Sequence, residues 1–283
     1  MSEFLTQLAA AAKESGCMLY RATEIVDGKS ETLELVPANR CNNVYSVAKV
    51  FTATAIGLLW DRGLLRLEDR LTDILHRHLP KGLDPRWETA TVEDAMKHRL
   101  GLPQGFLDID VKNCPAYGAD FLSAVFLEPL IAAPATTYCY TDAAYYLLSR
   151  VAEEVSGTPL DALLQEALLA PLQFAETAFT RCPEGHPMGA TGLYLHTADA
   201  AKLGALYLQG GVWEEKRYFS EEWAQTVLKK QIEFHRIADT DAFGKGGMYG
   251  QMLLFNPKAG RTVCWQGFSP KGCGDLALFA AKF

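Results

Sequence analysis

The 283-residue sequence lacks any run of about 18 consecutive apolar residues, the length that a membrane-spanning helix needs. It also lacks a basic cluster, and its formal net charge is −7, so tight binding to nucleic acid or to an anionic membrane surface has no electrostatic basis. The amino-terminal stretch carries Glu3 and no basic segment ahead of a long apolar core, unlike a secretory signal. We therefore expect a cytoplasmic protein that binds neither nucleic acid nor membranes. Its oligomeric state is left open.

Several sequence motifs of other functional classes are also missing. The seven cysteines form no Cys-x-x-Cys pair, which favours reduced thiols. Cys182 with His186, and His76 with His78, match no tight zinc pattern, so we expect no metal and no cofactor. No Gly-x-Ser-x-Gly occurs, which excludes the nucleophile elbow of α/β-hydrolases. The glycines at 244, 246 and 247 do not follow a strand and open a helix, so they are no dinucleotide-binding fingerprint.

The distribution of strand and helix signals predicts the fold class. Near the amino terminus, "CMLYRATEIV" and "ETLELVPA" read as a hairpin joined by the turn residues "DGKS", and three strands fit the last 35 residues. Between about residues 76 and 181 the pattern is helical, with breaks at proline and glycine. We predict an α+β fold whose antiparallel sheet is formed from both chain termini and flanked by helices. Residues 1–75 with 185–283 would form the sheet domain, and 76–184 an inserted, mostly helical domain.

A single Ser-x-x-Lys occurs in the chain, at the head of the apolar stretch "SVAKVFTATAIGLLW". Residues three apart share one face of a helix, so Lys49 is expected beside Ser46. A helix that is apolar all round is buried, and burial lowers the pKa of a lysine, which makes it a better proton acceptor. The alternative is that Ser46 caps the helix while Lys49 extends to solvent. On this segment alone the two interpretations are evenly matched.

Other segments in the same order make the pattern more specific. They are "RGLLRLEDRL", "KHRLGLP", "PATTYCYTDAAYYLL" and "TGLYLHTADAAKLG". Together with the Ser-x-x-Lys, they resemble the serine β-lactamase and penicillin-binding-protein superfamily. The resemblance is strongest to its branch of class C β-lactamases, D-alanyl-D-alanine carboxypeptidases and family VIII esterases. It spans residue 44 to the carboxyl terminus and implies a β-lactamase/transpeptidase-like fold.

The resemblance also implies roles for individual residues. Ser46 would be the acylated nucleophile, and Lys49 and Tyr140 would take and return its proton. The N–H groups of Ser46 and Phe268 would form the oxyanion hole. Asp142 stands where the family usually has asparagine. It is either a cap of the following helix or a cleft carboxylate that holds Lys49 as an ammonium, which would make Tyr140 the base.

The third family motif, Lys-Thr-Gly or His-x-Gly, aligns with "WQG", which makes Trp265, Gln266 and Gly267 candidate cleft residues. Tryptophan supplies no positive charge for a substrate carboxylate, which favours neutral esters or amides over β-lactams. Lys271 would restore the charge if its loop folded back. Otherwise Trp265 is a core residue and Lys271 a solvated turn residue.

The predicted function is therefore that of a serine hydrolase. It would act through an acyl-enzyme on a small ester, an amide or a D-amino-acid peptide, and its partner would be that small-molecule or peptide substrate. The alternative is a catalytically weak or inactive binding or regulatory protein on the same fold.

Overall fold

The computed structural model describes residues 1–283. The helices are α1 (Glu3–Glu14), α2 (Ala48–Asp61), α3 (Leu71–Ile74), α4 (Val92–Met96), α5 (Phe121–Leu127), α6 (Asp142–Ser156), α7 (Leu160–Leu164), α8 (Thr197–Leu208), α9 (Glu221–Lys230) and α10 (Gly274–Lys282). The strands are β1 (Leu19–Val26), β2 (Lys29–Glu34), β3 (Asn42–Asn43), β4 (Ala178–Phe179), β5 (Leu193–Leu195), β6 (Val212–Trp213), β7 (Lys216–Arg217), β8 (His235–Arg236), β9 (Phe243–Gly246), β10 (Met252–Asn256) and β11 (Arg261–Gly267). None of the helices is both long and apolar enough to cross a bilayer.

The chain divides into two compact units, each built from separate segments. The first contains residues 1–50, 167–178 and 193–283, and the second contains 51–166 and 179–192. The first unit therefore includes both termini, and the division at residues 50 and 51 falls inside α2. These boundaries differ from those predicted for the two domains, at 75/76 and 184/185.

The first unit is organised around a six-stranded sheet with the order β2-β1-β11-β10-β9-β8. All of its strand pairs are antiparallel. The two amino-terminal strands form a hairpin, and the four carboxyl-terminal strands add to it through the pairing of β1 with β11. The predicted fold class, an antiparallel sheet made from both termini with helices around it, is confirmed.

The two faces of this sheet pack against different helices. Val263 and Trp265 of β11 lie in a core with α1 and α10, which contribute apolar residues such as Phe4 and Leu276. On the opposite face α8 lies so close that a Cβ at Gly204 would be 2.5 Å from the Thr262 side chain. Because successive side chains of a strand alternate in direction, Gln266 is on the face opposite Trp265.

The end of the chain differs from the sequence prediction. In place of a third strand, residues after β11 form α10, which packs against the sheet through Leu276, Ala277, Ala280 and Ala281. These residues have the three- and four-residue spacing of a helix face. Small and apolar residues in so short a segment are compatible with either element, so the sequence pattern did not separate them.

The second unit is mostly helical. The longest of its complete helices, α6, is buried from Asp142 to Ala152 and ends at Gly157, which adopts the left-handed conformation of a helix cap. Trp87 and Phe126 pack edge-to-face with their ring centroids 5.0 Å apart. This unit carries the loop that contains Tyr140.

Candidate active site

Ser46 lies in a 3₁₀ turn, Tyr45–Val47, that leads directly into α2. Ser46 is partly exposed, whereas Lys49 is completely buried. The Nζ of Lys49 donates a hydrogen bond to the Oγ of Ser46 over 3.2 Å. The hydroxyl of a partly exposed residue is thus in direct contact with the amine of a fully buried lysine, an arrangement that suits proton transfer between them.

The turn that presents Ser46 is fixed from both sides. Tyr45 has a φ of 49°, in the left-handed region that non-glycine residues seldom adopt. Its N–H donates to the Oδ1 of Asn43 over 2.8 Å, and the N–H of Val44 donates to the carbonyl of Leu193 over 2.9 Å. Strain of this kind costs on the order of 1–3 kcal/mol and is kept where the surrounding structure enforces it.

The end of strand β9, where Gly246 is followed by Gly247, passes beside this turn. A Cβ placed on Gly247 would lie 2.7 Å from the carbonyl oxygen of Val44, so only glycine allows the approach. On the same strand Lys245 is buried and forms an ion pair with the carboxylate of Glu233, which is also buried. The positive charge of Lys245, two residues from Gly247, is therefore neutralised by Glu233 within the protein.

Tyr140 and Asp142 belong to the second unit, where His98 organises their loop. The carbonyl of His98 accepts a hydrogen bond from Cys139 over 2.8 Å, and its ring centroid lies 4.4 Å from that of Tyr140. On the other side, the carbonyl of Tyr140 accepts from the N–H of Gly105 over 2.9 Å. Tyr140 is thus held between two turns, with its ring stacked at a tilt on an imidazole.

Asp142 does not cap α6, because the N-cap is Thr141, whose hydroxyl accepts from the N–H of Ala143. The carboxylate of Asp142 is buried and lies within 4.8 Å of those of Asp108 and Asp110. The amino-terminal end of α6 stabilises negative charge at this position. Within its own unit, Asp142 is therefore one of three clustered acids.

Comparison with known proteins identifies the family. The Beta-lactamase family model matches residues 25–266. The chain belongs to the β-lactamase family. It is 31% identical over 127 residues to Penicillin-binding protein 4 of Amycolatopsis lactamdurans, a match that covers 45% of this chain and 33% of that protein. It is 23% identical over 246 residues to the D-alanyl-D-alanine-carboxypeptidase/endopeptidase AmpH of Escherichia coli (strain K12), which covers 77% of this chain and 62% of AmpH.

A solved structure of a family VIII carboxylesterase superposes on this β-lactamase-family chain with a TM-score of 0.73 and 16% identity. The match covers 99% of this chain and 96% of the esterase chain. At this identity the likeness shows a shared fold. The chain spans about half the length of the curated relatives it matches.

The structure corrects the position expected for the family's third motif. Trp265 is fully buried in the core with α1 and α10, and its Nε1 donates to the carbonyl of Gly250 over 2.7 Å. The residue beside Val44 is Gly247, which directly follows β9, and Lys245-Gly246-Gly247 reads Lys-x-Gly. Trp265 is thus a core residue and carries no information on substrate charge. The signal that sequence reasoning missed was this Lys-Gly-Gly.

The neighbours of Trp265 have different surroundings. The N–H of Phe268, expected to be an oxyanion donor, donates to the carbonyl of Met18 over 2.9 Å and so continues the pairing of β1 with β11. Lys271 is exposed in the turn after β11, as the alternative prediction for it stated. Gln266 and Gly267 line a cavity together with Tyr45, the residue before Ser46.

Proposed function

We propose that this chain is a serine hydrolase that acts through an acyl-enzyme on a small neutral ester or amide. The observation that carries the proposal is the hydrogen bond between the amine of the buried Lys49 and the hydroxyl of the partly exposed Ser46. Burial of a lysine that has no function costs free energy, because its charge loses hydration. Acceptance of a proton from Ser46 supplies a reason to keep it there.

In the proposed reaction the direction of this hydrogen bond reverses. Neutral Lys49 accepts the proton of the Ser46 hydroxyl while Oγ attacks the substrate carbonyl carbon, and the carbonyl oxygen becomes an oxyanion. The N–H of Ser46 is one donor to that oxyanion, as the family resemblance implies. Collapse expels the alcohol or amine, which takes that proton back from Lys49. Water then attacks the ester on Ser46, and the carboxylic acid leaves.

The charge around the Ser46 turn favours a neutral substrate. Lys245 is the cation on the strand that approaches Val44, and its pairing with Glu233 offsets the attraction that a substrate carboxylate would feel. Separating a buried ion pair leaves one charge uncompensated, at a cost of about 3–5 kcal/mol. A carboxylate substrate would have to compete with Glu233 for this amine.

Turnover of p-nitrophenyl acetate and butyrate tests the proposal, with nitrocefin as the β-lactam substrate and Ser46→Ala as the control. We expect ester turnover that Ser46→Ala reduces to the buffer rate, and little nitrocefin turnover. Ester turnover that persists in Ser46→Ala would remove Ser46 from the mechanism.

A second candidate is a protein that binds such compounds and acylates slowly or not at all. It is favoured by the Phe268 N–H, which is already used by Met18 and leaves the second oxyanion donor unassigned. Binding of the esters to the folded protein, with p-nitrophenol released no faster than in buffer, would support this candidate. Continuous turnover would exclude it.

A further inference from the structure

A cavity of about 230 Å³ lies within the first unit, next to the Ser46 turn. Its lining includes Tyr45, the residue that immediately precedes Ser46, together with Phe268 and Gln266. Consecutive Cα atoms are only about 3.8 Å apart, so the wall of this cavity adjoins the residue that carries the nucleophile. Not one of its lining side chains is charged.

Two of the aromatic rings that line the cavity, those of Tyr45 and Phe268, are connected through Tyr249, which is not itself part of the lining. Tyr249 packs edge-on against Tyr45 with a centroid distance of 5.0 Å and stacks on Phe268 at 4.6 Å. Tyr20 and Tyr194 complete the aromatic lining. Rings held in this way offer flat apolar surface to another planar group. An engineered apolar cavity of about 150 Å³ in another protein holds benzene, so this volume admits a substituted ring.

One residue that lines the cavity, Gln266, carries a buried hydrogen-bond acceptor with no protein donor. Gln266 is 1% exposed, and its Nε2 donates to the carbonyl of Leu195 over 2.7 Å and lies 3.4 Å from that of Asn42. Because both neighbours of Nε2 are acceptors, the orientation of the amide is fixed. Its Oε1 has no hydrogen-bond partner. A buried acceptor left in this state favours a ligand that brings an O–H or N–H group.

We propose that this cavity binds the acyl part of the substrate, and that the preferred acyl group is a neutral aromatic ring bearing a hydrogen-bond donor. The donor bonds to Oε1 of Gln266, and the ring packs on Tyr45 and Phe268. This assignment rests on the proposed hydrolase function, since it makes the cavity a subsite for the group transferred to Ser46. A carboxylate on the ring is disfavoured, because no cation lines the cavity.

The test measures binding separately from catalysis, and it varies the hydrogen-bond donor of the ligand while the protein stays the same. A variant at Gln266 would also lose the bond to Leu195 and risk unfolding, so the donor is removed from the ligand instead. Ser46→Ala protein is titrated with 3-(4-hydroxyphenyl)propionamide and with its 4-methoxy analogue, and binding is followed by ligand-detected NMR. We expect the hydroxyl compound to bind about tenfold tighter. We also expect Phe268→Ala to weaken it, while Leu64→Ala, which truncates an exposed residue of the other unit, has no effect.

Equal affinities for the two compounds, no binding at millimolar concentrations, or no effect of Phe268→Ala would each overturn the proposal. The corresponding p-nitrophenyl esters are then compared with p-nitrophenyl acetate on the protein with Ser46 intact. We expect the hydroxyphenyl ester to have the lowest KM, and Phe268→Ala to remove this preference. If no ester is turned over, the proposed hydrolase function fails, whereas the NMR titration still decides whether the cavity binds the ring.

Discussion

Gly247 lies so close to Val44 that a single added methyl group would stand 2.7 Å from the Val44 carbonyl oxygen. This contact fixes the distance between strand β9 and the turn that begins α2. It makes the placement of Ser46 depend on a glycine in the last quarter of the chain.

Replacement of this glycine should therefore impair catalysis. We expect Gly247→Ala to displace the Ser46 turn and to lower kcat about 100-fold, since shifts of about 1 Å in a reacting group have effects of that size. Gly274→Ala is the matched control, because a Cβ at Gly274 meets nothing within 4 Å. Steady-state kinetics on p-nitrophenyl butyrate measures both. Equal kcat values for the two variants would show that the approach of β9 does not position Ser46.

Lys49 should be needed for acylation and not for folding. Lys49→Met keeps an unbranched side chain of similar size in the buried site and removes the proton acceptor. We expect the rate of acylation to fall about 10²–10⁴-fold, the usual contribution of a general base. Pre-steady-state release of p-nitrophenol measures this rate, and the denaturation midpoint checks the fold. A folded Lys49→Met protein that acylates at the original rate would rule out Lys49 as the base.

His98 should act as a positioning residue for Tyr140. Its ring packs 4.4 Å from the Tyr140 ring, and its backbone carbonyl holds Cys139. We expect His98→Ala to lower kcat about tenfold with little change in KM, because the backbone bond remains while the ring support is lost. His98→Phe retains a ring and should recover most of the activity. Loss of activity in both variants alike would mean that the imidazole itself takes part.

Trp265 should affect stability and leave substrate preference unchanged. Its ring is fully buried and its Nε1 is hydrogen-bonded to Gly250, so Trp265→Phe removes volume and one buried bond. We expect the free energy of unfolding to fall by about 2 kcal/mol, measured in urea. The ratio of kcat/KM for neutral and carboxylate-bearing esters should not change. A changed ratio would return Trp265 to the substrate site.

The thiol of Cys273 should make the stability of the protein fall at alkaline pH. Burial and a hydrogen bond with Cys17 raise the pKa of the Cys273 thiol to about 12, above its ordinary value of 9.0. The unfolded chain therefore loses this proton first, and stability decreases as the pH rises from about 9 to 12. We expect Cys273→Ala to show a smaller alkaline loss than the unmodified protein in pH-dependent urea denaturation. An identical pH dependence would contradict the raised pKa.

The features that the sequence predicted best are those that depend on residues close together in the chain. Ser46 and Lys49 are three residues apart on a buried helix, so their contact follows from helix geometry alone. The sheet built from both termini was also predictable, because strand patterns occur at both ends and helical patterns between them.

The third motif and the cavity could not be predicted, because they depend on the order in which strands far apart in the sequence pair in the sheet. Both β9 and β11 end in glycine, and nothing local shows which of them approaches Val44 and which pairs with β1. The alignment placed the third motif at Trp265, whereas strand order places Lys245 and Gly247 beside the Ser46 turn. The cavity next to Tyr45 was equally hidden, because its walls come from segments more than 200 residues apart.

The most direct test of the central claim is covalent labelling at Ser46. The protein is incubated with a fluorophosphonate, its intact mass is measured, and the modified peptide is sequenced. We predict one adduct per chain, located on Ser46 and absent from Ser46→Ala and strongly slowed in Lys49→Met. An unmodified protein, or an adduct on a different residue, would contradict the assignment of Ser46 as a nucleophile activated by Lys49.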